Sequence, residues 1–370
     1  MGLHDISDLP FAWDSLDDLT ATAKAHPGGL INLSMGTPVD PTPDVVRHAL
    51  EAASNAPGYP LTAGTPALRQ SVADWFARRR GVPDLDPAAV VPTIGSKELV
   101  GLLPALLHLG PGDVVVHPAV AYPTYVAGIR AAGATPLAAH DVADWAGRDD
   151  VRMVWVNSPG NPTGRVLDVA ALRAVVEAAR AIDAVVVSDE CYAELAWETP
   201  SGSVPSILDP RVCGGSHEGL LAAYSLSKQS NIAGYRAAFL AGDRALVTDL
   251  TQTRKHLGLI VPAPVQAAMT AALSDDEHVA VQRDLYGARR EALAAAVVAA
   301  GLVVDDSEAG LYLWVAAPDG RSGLQVAQWF AERGLLTTPG YLYGDDRHTR
   351  VALTSTDAQI ADAVSRLTQA

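Results

Sequence analysis

The sequence predicts an α/β protein: a mainly parallel central sheet flanked by helices, followed by a smaller α+β domain. Three observations carry that expectation. From about residue 90 to 240, short apolar runs alternate with stretches of helical periodicity. After the proline-rich Val261-Pro262-Ala263-Pro264 the chain changes to long Ala-rich helices with only two short apolar runs. A length of 370 residues, 49 % of them hydrophobic, exceeds the usual single-domain range and can bury two sizeable cores.

The elements follow in order. Thr65 is a good N-cap with Pro66 in the first helical position, so a helix starts there. Buried strands are expected at Val90 to Ile94, Val114 to His117, Val151 to Val156, Val185 to Ser188, Leu220 to Tyr224 and Ala237 to Ala241, each too short for a helix and mostly β-branched or small. Between them the clearest helix runs from Asp168 to Ala181, with Val169, Leu172, Val175, Val176 and Ala179 on one face. Beyond Pro264 the longest helix is Glu277 to Ala300. Two strands, Leu311 to Val315 and Arg350 to Thr354, then enclose an amphipathic helix near Gly323 to Arg333. The expected division is an N-terminal arm with part of the small domain at 1–42, a large domain at 43–262 and a small C-terminal domain at 263–370.

Composition narrows function. With 42 acidic against 27 basic residues the formal net charge is −15, which repels phosphate backbones and anionic membrane surfaces. Nucleic acid and membrane are therefore not expected partners. Cys191 and Cys213 are the only cysteines, so neither a disulfide framework nor a metal site is expected, and a reducing cytoplasm fits. The segment Met1-Gly2-Leu3-His4-Asp5 carries an acid where a secretory signal carries bases. The uncharged stretch 256–274 contains two prolines and does not read as a membrane span.

The informative polar residues cluster after strands. Tyr224-Ser225-Leu226-Ser227-Lys228, with Arg236 eight residues after the lysine, brings an amine, two hydroxyls and a guanidinium near one turn. Hydroxyls and a guanidinium suit a phosphate, and a lysine beside them can form a Schiff base with a carbonyl. Pyridoxal 5'-phosphate needs all three. Alone, such a run is also an ordinary solvated turn. Two other strand ends add what this cofactor requires: Asp189, in Asp189-Glu190-Cys191-Tyr192, can keep a pyridine nitrogen protonated, while Asn161 and Tyr192 can bond the ring's phenolate oxygen. A strand-end aspartate is equally a common helix cap, and Asn-Pro a common turn.

The ordered set Asn161-Pro162-x-Gly164, Asp189-x-x-Tyr192, Ser225-x-Ser-Lys228, Arg236 and a late Arg350 resembles the fold-type I, class I/II aminotransferases, over nearly the whole chain. The resemblance implies that Lys228 is the Schiff-base lysine and Asp189 the pyridinium partner. It implies that Ser225, Ser227 and Arg236 hold the phosphate together with the helix start Gly95-Ser96-Lys97, where Lys97 is either a substrate contact or a solvated first-turn lysine. Tyr122 would stack on the cofactor ring. Tyr59 would reach the phosphate of a neighbouring subunit, implying a homodimer with shared active sites. Arg350, with Gly36 and Asn161 nearby, would bind the substrate α-carboxylate. Several runs, among them Ser188 to Tyr192 and Glu308 to Trp314, are similar to the actinobacterial N-succinyldiaminopimelate aminotransferases. That similarity implies transfer of an amino group from glutamate to N-succinyl-2-amino-6-oxopimelate. Other aminotransferases of the class, acting on aspartate or aromatic substrates, and a C–S lyase would use the same Lys228 and Asp189.

Overall fold

The structure is a computed structural model and describes residues 3–9, 15–197 and 204–369; Met1, Gly2 and Ala370 of the segments read above lie outside it. Its thirteen strands are β1 Ile31–Asn32, β2 Val90–Ile94, β3 Val114–Pro118, β4 Thr135–Ala139, β5 Val151–Asn157, β6 Val185–Asp189, β7 Leu220–Ser225, β8 Ala237–Gly242, β9 Val303–Asp305, β10 Tyr312–Ala316, β11 Leu335–Leu336, β12 Thr338–Pro339 and β13 His348–Ala352. Seven form the central sheet in the order β2-β8-β7-β6-β5-β3-β4, and only β8 runs against the others.

Both faces of that sheet are buried, which is why its strands read as continuous apolar runs. On β7, Leu220, Ala222 and Tyr224 join one core while Leu221 and Ala223 join the other; on β5, Val154 and Val156 oppose Met153 and Trp155 in the same way. Helices Pro66–Arg79 and Val169–Arg180 cover the first face, Ser96–Leu106 and Thr124–Ala132 the second. Thr65 caps its helix as expected, accepting from the Leu68 amide, and Asp168, read in the sequence as the first helical residue, is the cap of Val169–Arg180, accepting from the Ala171 amide.

Three expectations need correction. The short strands β1, β9, β11 and β12 are absent from the sequence reading, two or three residues being too few to show a period. The edge strand β4 has no counterpart in the sequence reading, because Pro136 and its half-exposed face hide it. The last strand lies at 348–352 rather than 350–354: the polar pair His348-Thr349 resembles a loop yet pairs with Ala316 and Val315.

A second core gathers Ile31, Leu33, Tyr286, Leu293, Leu313, Val351 and Leu367, so residues from both ends of the chain share it. Its sheet has the order β12-β13-β10-β9, with β1 and β11 paired beside it. Helix Glu277–Ala299 carries a row of polar side chains at helical spacing. His278 bonds Ser230 Oγ at 2.8 Å, Gln282 accepts from Asn231 at 2.6 Å and donates to Asp40 at 2.8 Å, Tyr286 donates to Asn231 at 3.3 Å, and Arg289 grips Asp40 and Asp357. The row joins the loop after Lys228 to the N-terminal segment and the last helix. Among the described residues no helix is long and apolar enough to cross a membrane.

Candidate active site

Strand register assembles the site. Asn157, the last residue of β5, lies beside Asp189, the last of β6, and Asp189 lies beside Ala223 of β7, two residues before Ser225. Because β8 is antiparallel, its start falls at the same edge: Ala237 pairs with Ile94, so Arg236 and Gly95 are neighbours. One edge of the sheet thus presents Gly95, Arg236, Ser225, Asp189 and Asn157, the place where open α/β sheets bind ligands.

Gly95 has φ +77° and opens helix Ser96–Leu106, whose first amides lack intrahelical partners. A Cβ at Gly95 would lie 2.1 Å from Arg236 Nη2, so glycine is what lets the guanidinium come across the helix start. Arg236 itself has φ +57°, a left-handed turn that costs a non-glycine residue about 1 kcal/mol and turns the chain back at this edge. Ser225 Oγ donates to Ser227 Oγ at 2.8 Å and accepts from the Ser227 amide at 3.2 Å. Hydroxyls, guanidinium and helix amides make a donor set that fits a phosphate.

Asp189 is 8 % exposed. Burial pushes its carboxyl above the ordinary range, opposed by the Cys191 amide at 3.1 Å and the Tyr125 hydroxyl at 2.9 Å. A buried carboxylate so held fits a protonated ring nitrogen. The adjacent Glu190 forms a buried ion pair with Arg80 at 2.9 Å and accepts from Ser206 and the Ile207 amide, which fixes the turn after β6.

Lys228 Nζ donates to the Gly36 carbonyl. Burial is the largest influence on this amine and, with the Arg350 and Arg236 charges, lowers its pKa, against the opposing pull of Tyr312 and Cys191. A lowered amine is neutral more often and so more able to attack a carbonyl or take a proton. Arg350 is 1 % exposed, donating to Asn161 Oδ1 at 2.9 Å and to the Ser34 carbonyl at 2.6 Å. The Asn161 amide is held in turn by Asn157 Oδ1 at 2.8 Å.

The structure therefore brings the buried Asp189, Asn161, Tyr192 and Arg350 together with the half-buried Lys228 and Gly36 into one cluster, with Gly95, Ser96, Ser225, Ser227 and Arg236 along the adjoining edge. Tyr122 is half-buried, its ring perpendicular to Tyr125 at 6.4 Å. Lys97 is exposed on the first helical turn. Tyr59 is fully exposed and is not brought to the site within the chain.

Sequence reading missed three phenols. Tyr125, one helical turn after Tyr122, bonds Asp189. Tyr312 bonds Tyr192 at 3.2 Å between hydroxyls, and its ring lies 4.0 Å from the Arg350 guanidinium, with Tyr343 at 4.8 Å. Tyr312 belongs to the Glu308–Trp314 run noticed in the sequence, but nothing local gives it a role.

The family profile for aminotransferases of class I and II matches residues 29–367. The chain is 53 % identical over 98 % of its length to the "Probable aminotransferase" of Mycobacterium tuberculosis, covering 86 % of that protein. It is 51 % identical over 98 % of its length to 4-dedimethylamino-4-oxo-anhydrotetracycline transaminase of Streptomyces rimosus, covering 99 % of it. Among solved structures, a probable N-succinyldiaminopimelate aminotransferase of Thermus thermophilus superposes with a TM-score of 0.86 at 28 % identity, covering 97 % of this chain and 100 % of that one. The chain belongs to the class I and II aminotransferases, with the fold-type I architecture and pyridoxal 5'-phosphate as its cofactor.

Proposed function

We propose that this aminotransferase takes its amino group from glutamate and delivers it to N-succinyl-2-amino-6-oxopimelate. The observation that carries a carboxylate-bearing substrate is Arg350: a buried fork one hydrogen bond from Asn161 and close to the Lys228 amine. A planar guanidinium suits bidentate capture of an α-carboxylate. The succinylated acceptor is supported by likeness to the Thermus thermophilus protein, and a diaminopimelate backbone alone by 32 % identity to the LL-diaminopimelate aminotransferase of Oleidesulfovibrio alaskensis.

When bound, pyridoxal phosphate supplies an aldehyde that condenses with amines and a protonated ring that accepts the electrons left at Cα. The residues divide the remaining work. Ser225, Ser227, Arg236 and the amides from Ser96 onward would hold the phosphate. Asp189 would keep the ring nitrogen protonated, while Asn161 and Tyr192 would bond the ring oxygen and Tyr122 would cover the ring. Arg350 would orient the substrate so that its Cα proton faces Lys228 Nζ, the base that takes it. Lys228→Ala is expected to fold and bind the cofactor but to lose the lysine-linked visible absorbance and all measurable turnover.

A second acceptor has a specific observation behind it, the 51 % identity to a transaminase named for an anhydrotetracycline ketone. One assay separates the two: enzyme with glutamate, offered each acceptor, followed by 2-oxoglutarate release. Turnover of the succinylated keto acid supports the first reading. Turnover of the ring ketone alone supports the second, and turnover of oxaloacetate or aromatic keto acids alone removes both.

A further inference from the structure

Tyr312 stands at the centre of the cluster yet has no part in the roles assigned above. Its position follows from strand pairing: β10 and β13 run antiparallel with Trp314 opposite Arg350, so Tyr312 is the diagonal neighbour of Arg350 on the sheet. The Arg350 guanidinium lies 4.0 Å from the Tyr312 ring centroid and 4.8 Å from that of Tyr343, so two phenol rings pack against it. The other end of Tyr312 points elsewhere. Its hydroxyl is 3.2 Å from Tyr192 Oη and occupies the space beside Gly36, where a Cβ would come within 2.1 Å of it. One side chain therefore touches the proposed carboxylate fork, the proposed ring-oxygen ligand and the segment that accepts the Lys228 hydrogen bond.

We propose that Tyr312 is a positioning residue with two separable ends: its ring face fixes the Arg350 guanidinium for a substrate carboxylate, and its hydroxyl fixes Tyr192 against the cofactor oxygen. An arginine kept rigid on an aromatic face loses less freedom when it captures a carboxylate, so affinity depends on the ring. The hydroxyl adds a second effect. Burial raises the Tyr312 phenol, but the Arg350 and Lys228 charges and the Tyr192 bond outweigh it and hold the phenol down. Tyr192, pushed up by burial and by Tyr312, keeps its own proton. The two hydroxyls lie 3.2 Å apart and either can donate; with Tyr312 as the donor, the Tyr192 proton is left free to point at an anionic oxygen. The groups that face the Tyr312 hydroxyl or ring from neighbouring elements are Tyr192, Lys228, Arg350, Tyr343 and Tyr286. The proposal rests on the carboxylate role of Arg350 and the ring-oxygen role of Tyr192.

The test compares Tyr312→Phe, which keeps the ring, with Tyr312→Leu and Tyr312→Met, which remove it. The probe is whichever amino donor the wild-type enzyme turns over, and the keto acid made from it, titrated calorimetrically into the cofactor-loaded enzyme. Failure of the glutamate reading then changes the probe and leaves this comparison intact. For the ring, Phe should keep KM and the keto-acid Kd within about two-fold, whereas Leu and Met should raise both by about ten-fold with a smaller change in kcat. For the hydroxyl, Phe should raise the pH midpoint of the loaded enzyme's visible band, as the anionic oxygen loses support. Equal affinities for Phe, Leu and Met overturn the ring half, and an unmoved midpoint in Phe overturns the hydroxyl half. Should Leu fail to fold, Met alone decides the first comparison.

Discussion

At Asp189 function and stability pull in opposite directions. A carboxyl raised by burial is most stabilising when protonated: its contribution is full below the ordinary carboxylate range, near about 4, and is lost as pH rises from there through its raised value in the folded protein. At neutral pH the cofactor-free protein therefore bears the cost of a buried charge. Asp189→Asn removes that charge while keeping an oxygen for the Cys191 amide, and the Tyr125 hydroxyl can rotate to accept from the new amide. The cofactor-free variant should melt at or above the wild-type temperature at pH 7, with the difference shrinking towards pH 4. The loaded variant should lose about 10²-fold or more in turnover if Asp189 is the proposed partner of the ring nitrogen, because a neutral amide does not hold that nitrogen protonated. A variant that melts well below wild type at pH 7 would count against this account. Asp189, Lys228 and Arg236 were legible in the sequence because their chemistry is unusual beside apolar strands. Tyr125 and Tyr312 were not. A buried tyrosine in an apolar run is ordinary core, and only the contact of β10 with β13, distant in sequence, turns Tyr312 toward Arg350.

The strand ends show the same limit one level up. All six central strands expected from sequence exist, but five extend one residue further than expected. Three of those added residues are polar: Asn157, Asp189 and Ser225. Polarity made them resemble loop, whereas pairing with neighbouring strands fixes them at the edge where ligands bind. The helix start at Gly95 gives a sharp test of that edge. Gly95→Ala places a Cβ 2.1 Å from Arg236 Nη2 and asks alanine to adopt φ +77°, a conformation costing about 1 kcal/mol or more. Arg236 is the longer and more flexible partner and should yield. The variant is expected to remain folded by circular dichroism yet bind pyridoxal phosphate about ten-fold more weakly in equilibrium dialysis. Unchanged affinity would remove Arg236 and this helix start from the phosphate site.

At the scale of the whole molecule, five of the eleven large apolar side chains exposed among the described residues fall in one short stretch of sequence: Met35, Val39, Val45, Tyr59 and Leu61. Tyr59 is fully exposed in the single chain, and the shared-site dimer we propose would seat it at the site of a second copy. Sedimentation of the loaded enzyme should give a dimer at micromolar concentration, and Tyr59→Ala should weaken cofactor binding several-fold without dissociating it. A fully active monomer would end this reading. The sequence revealed the apolar cores through periodicity, but could not place segments that meet only when the chain closes on itself. The polar row on helix Glu277–Ala299 is one such meeting. None of its four members is among the residues expected to touch cofactor or substrate. Through Ser230 and Asn231, however, the row sets where the Lys228 turn can rest, and through Asp40 it sets the approach of the Gly36 segment. Exchanging this helix between relatives would transplant a ruler for the reactive amine, and the graft would keep its calibration only if Asp40 and Asn231 travelled with it.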